Sequence, residues 1–116
     1  MNKKEKTHKD CELGLRSIQD ALYVINGRWK ILVLFSILHG NKRFNEIERS
    51  LLKINGKTLA KELRDLEQNG LITRTVYDAR PVIIEYNVTD YANTLIPVFD
   101  VLMDWGTNHR KKIIGN

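Results

Sequence analysis

The stretch from Asn55 to Gly70 limits what this chain can fold into more than any other. Asn55 suits a helix N-cap, because its side-chain oxygen can accept from an unpaired N–H of the first turn. Gly70, following Asn69, suits the left-handed residue that ends a helix. Between them Leu59, Leu63 and Leu66 recur at i, i+4, i+7 and share one face. At about 100° per residue, Lys57, Lys61, Arg64 and Gln68 fall on nearly the opposite face. One side needs a core and the other is a basic stripe. A helix of this kind fits the major groove of duplex DNA when a small domain backs it. Alone, it more often is an ordinary surface helix with a solvated Lys/Arg face, so the neighbouring segments decide.

Upstream, Asn45-Glu46-Ile47-Glu48 reads as a capping box, with an acidic residue three positions after the N-cap. The helix it opens is expected to reach about Leu52, with Ile47, Leu51 and Leu52 inward. Lys42-Arg43-Phe44 before it is too short for more than a single strand turn. Lys53-Ile54 then leads into the Asn55 helix, and two short helices joined this way form a helix-turn-helix. After Gly70 the period changes. Leu71 to Tyr77 is rich in β-formers, Asp78-Ala79-Arg80-Pro81 is a turn, and Val82 to Val88 is a second β-rich run. In that run Ile84, Tyr86 and Val88 alternate onto one face. A hairpin directly after the second helix of such a pair is a wing.

These placements divide the candidate DNA-binding residues. Lys57, Thr58 and Lys61, near the start of the second helix, are expected at base edges. Arg64, Gln68, and the flanking Arg43, Arg74 and Arg80 are expected at the interface too, the arginines mainly on phosphates.

The remaining segments build the scaffold. Residues 1–10 read as a mobile basic arm, residues 11–112 as the domain, and 113–116 as a tail. Leu13, Leu15, Ile18, Ala21, Leu22 and Ile25 give a broken helical pattern over 13–25, stopped by Asn26-Gly27. Trp29 to Leu38 is apolar nearly all round, which predicts a buried central helix. Its β-branched content also admits a buried strand, but its length and leucines favour helix. Thr89 is an N-cap for a last helix over about 90–110. There Ala92, Leu95, Ile96, Phe99, Leu102 and Met103 form one apolar stripe, flanked by Val98, Val101 and Trp105. Pro97 should kink or break it. So wide an apolar arc exceeds what one surface helix needs, and predicts a second copy of the chain packed against it. The candidate dimer contacts are Leu15, Ile18 and Leu22 with Leu95, Phe99, Leu102 and Trp105. The fold class is therefore α+β, mostly α: a winged helix-turn-helix with a two-stranded wing and N- and C-terminal dimerisation helices.

Composition narrows the function. With 116 residues, 42% hydrophobic and 28% charged, the chain reads as one soluble domain with no run long enough to span a membrane. Met1 to Asp10 is polar and Lys-rich with no apolar h-region after it, so it does not read as a signal peptide. The one cysteine, Cys11, fits a reducing cytosol, so a cytoplasmic location is expected. The net charge of +5 is compatible with a polyanionic partner. His8, His39 and His109 stand in no metal-ligand spacing, and Gly27, Gly40, Gly56 and Gly70 are single punctuators, not a phosphate loop. No enzyme, metal or cofactor is expected. The rival reading is a winged-helix module that binds protein without specific DNA binding; it would not need the basic stripe.

In this order, several stretches resemble the HxlR-type winged-helix transcriptional regulators, relatives of the MarR group. They are Gly27-Arg28-Trp29-Lys30, Arg43-Phe44-Asn45-Glu46-Ile47, Lys57-Thr58-Leu59 and Leu63 through Tyr77. Glu85-Tyr86-Asn87-Val88-Thr89, Leu95-Ile96-Pro97-Val98 and Trp105-Gly106 follow. The resemblance spans roughly residues 13–112. It implies a homodimeric, sequence-specific DNA-binding regulator on a pseudo-palindromic operator, with dimer contacts from the first and last helices. A small-molecule or redox effector is implied for some members, through a cysteine often followed by proline. Here the candidate sensor, Cys11, is followed by Glu12. Asn55 replaces the usual Ser or Thr, and Ala60 and Glu62 also depart from the common pattern, which bears on the operator sequence.

Overall fold

The computed structural model describes residues 8–115. Met1 to Thr7 of the expected arm, and Asn116 of the tail, lie outside the described residues. Helix α1 (His8–Ile25) begins at His8, well before the apolar pattern does. His8, Lys9 and Asp10 are thus already helical, and His8 Nε2 sits 2.9 Å from Glu12 Oε1 one turn on. Gly27, at φ 89°, breaks the path as its sequence position implied, and the axis turns by 67° into α2 (Lys30–Leu38). Val33, Leu34 and Ile37 of α2 are buried, so this is the central helix.

Helix α3 (Phe44–Ser50) starts two residues earlier than Asn45 capping would allow. Its N-cap is Arg43, whose side chain has no acceptor. The work is done by Glu46, whose Oε1 accepts from the backbone N–H of Arg43 and of Lys42, both at 3.1 Å. Asn45 therefore lies inside the helix, and only half of a capping box exists. The helix ends at Ser50, and Lys53 turns the chain at φ 75°. Ile47 is buried and Leu51 partly so, but Leu52 is 82% exposed, because the turn intervenes before the helical period can carry it inward.

Helix α4 (Gly56–Gln68) follows the expected bounds. Asn55 Oδ1 accepts from Thr58 N at 2.8 Å. At the other end Leu71 N donates to Leu66 O and Gly70 N to Glu67 O, each at 3.0 Å, with Gly70 at φ 74°. That pair of bonds is a complete Schellman cap. Leu59, Leu63 and Leu66 are all buried, each contributing roughly 1.5–3 kcal/mol of hydrophobic stabilisation.

Strands β1 (Ile72–Tyr77) and β2 (Ile83–Val88) pair antiparallel, with Ile72 opposite Val88, Arg74 opposite Tyr86 and Val76 opposite Ile84. Ile84, Tyr86 and Val88 thus share a face, as their alternation implied. Tyr86 N donates to Lys42 O at 2.7 Å, so the segment before α3 meets the outer edge of β2 with one bond. Thr89 Oγ1 accepts from Ala92 N at 3.2 Å and donates to Gly70 O at 2.6 Å, capping the next element while tying it to the end of α4. The last helix is two pieces, a 3₁₀ turn (Tyr91–Leu95) and α5 (Ile96–Ile114), with Pro97 in the first turn of α5. The expected break is there, because proline is tolerated only where its missing N–H is not needed. The core joins α2, α3, α4 and the start of β1, closed by Ala92 and Phe99. The result is a mostly helical winged helix-turn-helix with a two-stranded wing.

Candidate nucleic-acid interface

With its leucine face anchored, α4 has one orientation left. Lys57, Lys61, Arg64 and Gln68 are all exposed on it, and Thr58 is half-buried beside them. Arg43 is exposed at the start of α3, Arg74 on β1, and Arg80 in the hairpin turn. Lys57, Arg64, Arg43, Arg74 and Arg80 make no ion pair among the described residues.

Lys61 differs. Its Nζ lies 3.0 Å from Asp65 Oδ2 and 3.5 Å from Glu62 Oε1. From beneath, Lys30 Nζ of α2 lies 3.3 Å from the same Asp65 oxygen and 3.7 Å from the same Glu62 oxygen. Two cations and two carboxylates form one cluster at the α2–α4 contact. The Lys61 hydrogen bond, then that of Lys30, hold the Asp65 carboxyl below its ordinary pKa. The Asp65 hydrogen bond and charge raise that of Lys61 in turn. The Lys61–Asp65 spacing of four residues was legible as a helix-surface pair. Lys30 was not, because no periodicity links a residue of α2 to one of α4. Glu62, whose departure from the family pattern was expected to bear on the operator sequence, is buried, with its carboxylate near both Lys30 and Lys61.

The candidate dimer contacts split. Leu15, Ile18 and Leu22 are exposed along α1, which has no fully buried side chain and touches the core only near its end, through Val24. Leu102 and Trp105 are exposed on α5, where the Trp105 ring stacks on His109 with centroids 4.8 Å apart. Leu95 is partly buried against the core, and Phe99 is 4% exposed, a core residue of its own chain. Trp29 packs on the core with the Arg28 guanidinium 4.8 Å over its ring. Cys11 is exposed in the first turn of α1. A mainly apolar pocket of about 340 Å³ lies between α1, the end of α4 and the 3₁₀ turn, with Asp20, Asn69, Tyr91 and Thr94 among its lining. Among the described residues no cluster of His, Cys, Asp and Glu could hold a metal ion, and no single helix is long and apolar enough to cross a membrane.

Comparison with known proteins agrees with this geometry. The chain is 38% identical over 100 residues to the HTH-type transcriptional regulator YtcD of Bacillus subtilis, covering 86% of this chain and 79% of the relative. The crystal structure of that regulator superposes with a TM-score of 0.76 over 79% of this chain and 94% of its own, at 39% identity. The redox regulator HypR in its reduced form superposes at 0.79, with 33% identity and coverage of 86% and 99%. A protein from Enterococcus faecalis described as a transcriptional regulator of the MarR family superposes at 0.74 over the full length of both chains, at 28% identity. The model of the HxlR-like helix-turn-helix family matches residues 24–113, from the end of α1 through α5, and the chain belongs to that family.

Proposed function

We propose that this chain is a sequence-specific transcriptional regulator that binds a pseudo-palindromic operator as a homodimer. The observation that carries the reading is the two-sided design of α4: three buried leucines on one face, and exposed Lys57, Lys61, Arg64 and Gln68 on the other. Lys57, Thr58 and Lys61 occupy the N-terminal half of the helix, the part that enters a major groove deepest, and take base edges. Arg43, Arg64, Arg74 and Arg80 take phosphates. Support for the dimer comes from the apolar side chains left exposed on α1 and α5, since monomers seldom expose large contiguous apolar patches.

Selection of bound duplexes from a random pool tests the reading. Two inverted half-sites about one helical turn apart, roughly 10 base pairs centre to centre, are expected. No enrichment, with binding indifferent to salt, would leave the protein-binding module as the better reading.

Cys11 is proposed as the point of redox control. It is exposed on α1, the helix assigned to the dimer contact, and one solved relative is a redox regulator. With a single cysteine per chain, any disulfide joins two chains or captures a small thiol. Diamide should change operator affinity of the wild type and leave Cys11→Ser unaffected; equal affinity in all four states removes the role.

A further inference from the structure

Of the three residues assigned to base edges, Lys61 is the one whose charge is already engaged within the chain. Its principal partner is no loose surface carboxylate. Lys30, only 11% exposed in its side chain, holds the same Asp65 oxygen from inside the domain, while the Lys61 side chain is 61% exposed. The anion is thus pinned by α2 and the cation is the part that can move. Lys61 precedes Asp65 in the helix, the weaker order for a pair four residues apart, and exposed pairs of this kind are worth little. The Lys61 ammonium can therefore shift within the pair at small cost, without leaving Asp65.

Binding to arbitrary duplex scales with the cations that displace counterions from phosphates. A lysine already met by a carboxylate at 3.0 Å adds little to that total, and the carboxylate repels phosphate. A base edge is a different target. The ammonium has three donors, so it can keep Asp65 on one and offer another to guanine O6 or N7 in the groove. We infer that Asp65 is a specificity-determining positioning residue, which withholds Lys61 from indiscriminate phosphate contact and presents it to a base edge. This rests on the DNA-binding reading above.

The test measures affinity of the full-length protein for a random duplex and for a selected operator between 50 and 200 mM salt. Asp65→Asn should bind random duplex more tightly at low salt. Its log–log salt slope should steepen by about 0.9 per chain, or about 1.8 for the dimer, an extra loss of about twelvefold across that range. The operator-to-random ratio should fall, because the operator gains less. Asp65→Glu, which keeps the pair, should behave as wild type, and adding Lys61→Ala to Asp65→Asn should abolish the gain. Should Asp65→Asn fail to fold by circular dichroism, the single variants decide. Lys57→Ala should then flatten the random-duplex slope by about 0.9 per chain, and Lys61→Ala by less than half that. Wild-type slope and affinity in a folded Asp65→Asn, or equal flattening by Lys57→Ala and Lys61→Ala, overturns the inference while leaving DNA binding intact. Absence of any salt-dependent duplex binding by the wild type removes the DNA-binding reading and this inference with it.

Discussion

Asn55 and Gly70 bracket α4 by different means, one with a side-chain acceptor and the other with backbone freedom. Asn55→Ala should cost about 1 kcal/mol by loss of the cap. Gly70→Ala should cost about as much or somewhat more, from forcing an L side chain to φ 74°. Urea unfolding reads both, and unchanged midpoints would mean that neither device holds the helix. Two carboxylates govern the acid response. Glu46 is held below its ordinary pKa by the backbone N–H groups of Arg43 and Lys42, and Asp65 by Lys61 and Lys30. A carboxyl lowered by folding contributes stability that is fully present above its unfolded pKa and lost as pH falls through the folded one. Stability should therefore decline as pH drops below the ordinary carboxylate range. Glu46→Gln and Asp65→Asn should each flatten that acid limb in thermal melts taken across pH.

Helix α5 serves two surfaces, and substitutions on it should separate them. Phe99→Ala should cost about 3–5 kcal/mol, as large-to-small changes in cores do, whatever the oligomeric state. Leu102, 46% exposed, should tolerate Glu within the folded chain and lose only the partner copy. Sedimentation alongside urea unfolding distinguishes the two outcomes. The apolar stripe of this helix was legible in the sequence, but which stripe residues turn inward was not. That depends on the 3₁₀ turn, which sets the rotation at which α5 begins. Elements with their own punctuation were read well: α4 between Asn55 and Gly70, and the hairpin around its turn. Boundaries set at a distance were not. The start of α3 is fixed by Glu46 reaching back to two N–H groups, which favours Arg43 over the better-capping Asn45. The start of α1 lies among polar residues that carry no apolar period. At the candidate interface the basic stripe was legible from spacing alone, whereas the charge cluster beneath it needed α2 and α4 in contact.

The chain as a whole is extended, 61 × 38 × 22 Å, with a radius of gyration of 17.5 Å. A compact domain of 100 residues has about 13 Å. Most of α1 lies exposed, with no side chain fully buried, and Val101, Leu102 and Trp105 face outward on α5, a shape that a second copy would complete. Light scattering at micromolar concentration should give twice the chain mass, and the monomer mass would end the dimer proposal. Two copies would also set two α4 helices for adjacent major grooves, which makes duplex binding the most direct test. The measurement is the affinity for a selected operator against salt, for wild type, Lys57→Ala and Arg80→Ala. A steep linear fall of log K with log salt is expected, flattened by about one unit per chain in Arg80→Ala, whereas Lys57→Ala should lose about 1–3 kcal/mol on the operator with little change of slope. Binding that ignores salt, or that survives both substitutions unchanged, would contradict the assignment of α4 and the wing to DNA.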